Sequence, residues 1–122
     1  MAQGSSVPDY ISFMASKAGD TGFTGILTVQ DKEGYTIGPI AGNLTVEVYS
    51  DRDYQKKIFE RTLEVGLSSG WGTWGLNKVP AWYMPRIAFK DIGNNLPDYI
   101  YIRAIFKNAF GEFTDKTLQS TT

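Results

Sequence analysis

The chain has 122 residues, 42% hydrophobic and 20% charged, with a formal net charge of −1, the size and balance of one soluble globular domain around one core. It has no histidine and no cysteine, which excludes imidazole-based triads, Cys/His zinc sites, thiol nucleophiles and disulfides. Twelve basic and thirteen acidic residues without a Lys/Arg run leave no electrostatic footprint for nucleic acid or an anionic membrane surface.

In chain order, MAQGSS (1–6) reads as a flexible N-terminal arm of small and polar residues. It has neither the basic nor the apolar region of a secretory signal, and no apolar run in the chain approaches the roughly 20 residues that span a bilayer. Synthesis in the cytoplasm is the expectation. Tyr10-Ile11-Ser12-Phe13-Met14 and GILTV (25–29) are rich in β-formers, and DKEG (31–34) supplies a turn. NLTVEVYS (43–50) alternates strictly: Leu44, Val46 and Val48 face one way and Thr45, Glu47 and Tyr49 the other.

Residues 51–66 admit two readings. Ser50 and Asp53 suit a helix N-terminus and Gly66 its stop, which allows one short helix over 51–65. A strand from about 57 places Phe59, Leu63 and Val65 on one face with Arg61 among them, and the β-branched Thr62 and Val65 favour it. Beyond the Trp-rich segment and MPRIAFKDIG (84–93), DYIYIRAIF (98–106) carries apolar bulk on both faces, the mark of a central strand. It turns at KNAFGE into a last strand from Phe113. Several short strands with turn signals and no long amphipathic helix predict an all-β fold, a single antiparallel β-sandwich over 7–118 with a tail at 119–122.

Candidate chemistry is sparse. Asp51 and Asp53 are two carboxylates beside a turn, the pattern of solvated loop residues. The D-R-D triplet lacks the ligand-rich loop of a calcium site, and Gly66, Gly70, Gly72 and Gly75 do not lead into a helix with a lysine as a phosphate loop does. No enzymatic activity, cofactor or metal is expected. GWGTWGLNKVPAWY (70–83) is the one conspicuous cluster. Trp71 and Trp74 are three apart, so an extended strand sends them to opposite faces unless the glycines bend it. Pro80 and Pro85 bracket AWYM, which predicts an edge strand or loop there. Trp71, Trp74, Trp82 and Tyr83 are the candidate contact residues, divided between core closure and a surface for other protein subunits, because Trp and Tyr dominate interface hot spots. A glycan platform on the same rings is the alternative.

Two resemblances add to this reading. Tyr99, Tyr101, Arg103, Asn108, Gly111 and Glu112 stand as in the last hairpin of a fibronectin type III domain, over about 20 of the 122 residues. Phe106 stands where that family usually has alanine, and its early-strand tryptophan is not found. The resemblance implies an immunoglobulin-like sandwich. KIFERTLEVG followed by WGTW (57–74) resembles β-rich modules of bacteriophage tail and fibre proteins. It implies a non-enzymatic structural protein assembled into a virion as a decoration, tail or fibre component. The expected partners are other protein subunits, in a homo- or hetero-oligomer, with a glycan or cell surface as the alternative.

Overall fold

The computed structural model describes residues 7–122, so the arm expected at 1–6 lies outside the described residues. Ten strands follow in order: β1 (Tyr10–Lys17), β2 (Gly22–Gln30), β3 (Thr36–Ile37), β4 (Gly42–Tyr49), β5 (Lys57–Val65), β6 (Trp71–Trp74), β7 (Val79–Tyr83), β8 (Ile87–Ala88), β9 (Tyr99–Asn108) and β10 (Gly111–Ser120). They form two antiparallel sheets, ordered β1-β2-β7-β6 and β10-β9-β4-β5. The short β3 and β8 flank β7 along the same edge of β2. The only helical element among the described residues is a 3-10 turn at Phe89–Asp91.

The alternating segments bury the faces their sequences mark. Leu44, Val46 and Val48 of β4 meet Ile100, Ile102, Ala104 and Phe106 of β9, all fully buried. Phe13 of β1 and Leu27 and Val29 of β2 close the core from the first sheet. Each such side chain contributes about 1.5–3 kcal/mol by leaving water. β9 lies between β4 and β10, the central position that its two apolar faces indicate. The last hairpin turns through Ala109 and Phe110, and the Asn108 side-chain oxygen accepts the Phe110 N–H at 2.7 Å.

The two sheets approach each other along β1 and β10, where the Phe13 N–H donates to Asp115 Oδ2 at 2.8 Å. On the opposite side the sheets end in β5 and β6. β10 runs to Ser120, and the Thr121 N–H bonds the Asp98 carbonyl at 2.9 Å, so ordered pairing continues past residue 118.

One reading of residues 51–66 holds and one sequence expectation needs correction. The strand from 57 forms, and no helix forms over 51–65. The Asp51 carboxylate accepts the N–H groups of Gln55 and Lys56, the Ser50 N–H closes on the Lys56 carbonyl, and Tyr54 is left-handed at φ 57°. These bonds complete a tight loop where a helix would need its own ladder, and β5 starts at Lys57 with Phe59, Arg61, Leu63 and Val65 on the inner face. Arg61 stays there by lying over the Phe59 ring, 5.2 Å from its centroid.

Nor is the proline-bracketed segment an edge or loop: β7 is an interior strand between β2 and β6. The Tyr83 N–H bonds the Gly70 carbonyl at 2.8 Å, so alternation makes Pro80–Thr73 a non-hydrogen-bonded pair. The missing Pro80 N–H therefore faces the β2 side, where the β7 ladder covers only Ile26–Tyr83 and Leu27–Trp82. β3 takes over the edge of β2 at Val29.

Candidate functional site

The Trp-rich segment folds as a hairpin of β6 and β7 joined by a turn over 75–78. Trp71 pairs with Trp82 and Trp74 with Val79. Trp82 is only 4% exposed and part of the core, its indole N–H donating to the Ser69 carbonyl at 3.1 Å. Trp71 is half-buried against the same core and donates to the Gly66 carbonyl at 2.7 Å. The approach to β6 needs glycine: Gly70 has φ 84°, and a Cβ there would sit 2.6 Å from the Trp82 indole nitrogen.

The other two candidates face solvent, Trp74 at 37% and Tyr83 at 39% exposure. This division follows from the three-residue spacing on an extended strand. The Tyr83 ring lies across Gly72, and its hydroxyl donates to the Thr73 carbonyl at 2.5 Å. The four sequence candidates thus separate into an inward pair, Trp71 and Trp82, and an outward pair, Trp74 and Tyr83.

Tyr83 of the outward pair belongs to a longer row, while Trp74 stands four residues along the ladder, opposite Val79. Tyr83 pairs in register with Ile26 of β2, and Ile26 with Met14 of β1. Met14 is 48% exposed, and Leu76 at the tip of the β6–β7 turn is fully exposed. An apolar row thus crosses the outer face of the first sheet. Sequence reasoning missed Met14 and Ile26, although Met14 sits at an outward position of β1, opposite in parity to the buried Ile11 and Phe13.

A second cluster lies on the outer face of the other sheet. The Tyr54 ring packs edge-on to Tyr49 and Tyr101, with Arg103 5.2 Å and Lys116 4.6 Å from its centroid. Burial raises the pKa of Tyr49, helped by its hydrogen bond to Glu47. Burial likewise raises that of Tyr54, against the opposing pull of Arg103. Every ring here has a partner, and the cluster pins the 50–56 loop onto the sheet.

An open groove of about 590 Å³ lies at one end of the sandwich, lined by Asp20, Thr21, Arg86, Phe89, Lys90 and Leu96 among others. Arg86 acts there as a clamp, its Nε donating to the Ala18 carbonyl at 2.8 Å and its Nη2 to Thr21 Oγ1 at 2.5 Å. Among the described residues no group of three or more His, Cys, Asp or Glu side chains converges to hold a metal ion. No helix among them is long and apolar enough to cross a membrane.

Compared with protein-family models, with curated proteins and with solved structures, the chain matches none.

Proposed function

We propose that this protein is a non-enzymatic contact module that takes its place in a larger assembly through the outer face of its first sheet. The observation that carries this reading is the outward row Tyr83–Ile26–Met14, with Trp74 exposed on the same face at the other end of the β6–β7 ladder, opposite Val79. A protein surface that clusters Trp, Tyr and Met without charge has the composition of an interface centre. The setting within a bacteriophage virion rests on the resemblance of residues 57–74 to tail and fibre modules.

The strand order supports reading the sandwich as immunoglobulin-like. β1, β2, β7 and β6 stand where that fold has A, B, E and D, and β10, β9, β4 and β5 where it has G, F, C and C′. That fold hosts many functions, so the functional reading stands on the face and not on the topology.

A photo-cross-linking amino acid placed at Met14 in cells that naturally make the protein tests the proposal, with the same group at Leu118 on the second sheet as control. Protein adducts at position 14 and few at position 118 are expected. If position 14 yields no protein adduct while the purified protein binds oligosaccharides in a Trp74-dependent way, the glycan reading replaces this one.

A further inference from the structure

We infer that the occupant of this face is a second copy of the same chain, giving a two-fold dimer in which the first sheets pack face to face. The inference rests on the contact-module reading and adds the partner. The two outer faces of the sandwich differ sharply in charge. By strand alternation, the outward positions of β1, β2, β6 and β7 carry no Asp, Glu, Lys or Arg. All four ion pairs among the described residues lie on the other sheet: Lys57–Glu47, Lys57–Glu60, Arg103–Glu47 and Lys107–Glu112.

A two-fold interface sets a patch against itself, so any charge in it meets its own like across the axis. Apart from Arg86, whose guanidinium lies against Gly22 at one end of β2 and is held by Ala18 and Thr21, the outward positions of the first sheet meet that condition, and the ion-paired face does not. Two hydroxyls beside the row are engaged within the chain: that of Thr24 with the Met84 carbonyl, and that of Thr28 with Gln30 Nε2.

Tyr83 favours contact through the face over addition of a strand to β6. Alternation turns the Thr73 carbonyl toward the free edge of β6, where the Tyr83 hydroxyl occupies it. At strand spacings of about 4.8 Å, the four strands present roughly 400 Å² in plan. The standing side chains of Met14, Tyr83 and Trp74 add relief. The face therefore falls well below the roughly 800 Å² per partner of a standard interface even with that relief, which predicts a weak, reversible dimer.

Sedimentation equilibrium of the full chain over a concentration series tests this, with Met14→Lys, Trp74→Lys and the control Thr114→Lys on the outer face of β10. The wild type and Thr114→Lys should dimerise alike. Met14→Lys and Trp74→Lys should each weaken the dimer at least about 30-fold through like-charge apposition, with circular dichroism confirming that at least one of them remains folded. A wild type that stays monomeric into the high micromolar range overturns the inference. So does a dimer that Thr114→Lys disrupts and a folded row variant does not. If the wild type is monomeric yet Met14 still cross-links to a different protein in cells, the dimer fails and the contact module stands.

Discussion

Trp71 and Trp82 stand opposite each other in the β6–β7 ladder, and both indole N–H groups donate to carbonyls of the segment that leads into β6, Gly66 and Ser69. The pair ties the last strand of the first sheet to the core, and each buried indole finds the partner its desolvated N–H requires. Trp82→Ala is therefore expected to cost about 3–5 kcal/mol, a large share of the roughly 5–15 kcal/mol that holds a domain together. Trp71→Ala, at a half-buried position, should cost less but still lower the unfolding midpoint clearly. Urea titration followed by circular dichroism ranks the two.

The backbone entering β6 makes a separate prediction. Gly70 and Gly75 both have positive φ, 84° and 79°, but a Cβ at Gly70 would strike the Trp82 indole whereas one at Gly75 meets nothing within 4 Å. Gly75→Ala should cost about 1 kcal/mol for conformation alone. Gly70→Ala should exceed it, because the indole must also move. Equal costs by thermal unfolding would mean that Trp82 does not depend on the close approach at Gly70.

The seam between the sheets is tested at Asp115. Asp115→Ala leaves the Phe13 N–H without its partner, at a cost of about 1–3 kcal/mol, while Asp115→Asn keeps an acceptor. Amide exchange at Phe13 should accelerate strongly in the alanine variant and modestly in the asparagine one.

Asp51 gives the pH dependence. The N–H donors of Lys56, and secondarily Gln55, lower its folded-state pKa below the ordinary 3.8. A depressed carboxylate pKa contributes stability that is fully present above the unfolded value and lost as pH falls through the folded one. Asp51→Asn should therefore lower the melting temperature near neutrality, and the gap to wild type should narrow below about pH 4. A gap independent of pH would show that the charge on Asp51 plays no part in holding the loop.

What could be read in advance depended on how local the cause was. β4 and β9 were legible because their inward positions are uniformly apolar, and the parting of Trp71 from Trp74 follows from odd spacing alone. The place of β7 was not legible. Pro80 reports only that one N–H is missing, and whether that side needs a bond depends on β2 being shared by three segments distant in sequence. The row from Met14 to Tyr83 likewise exists only through the register of strands that the sequence separates by nearly 70 positions. Ser50 and Asp53 suited a helix N-terminus, but the left-handed backbone of Tyr54 and its seat between Arg103 and Lys116 are set by tertiary contacts.

The central claim, that the outer face of the first sheet is a contact surface, is tested most directly by Trp74→Ser in the chain carrying the photo-cross-linker at Met14. Melting temperature and adduct yield are measured on the same preparation. Trp74 faces solvent, so its loss should cost about 1 kcal/mol or less and lower the midpoint by only a few degrees, while most of the protein adduct at position 14 disappears. An unchanged adduct in a folded Trp74→Ser protein, or a loss of stability as large as that of Trp71→Ala, would contradict the account.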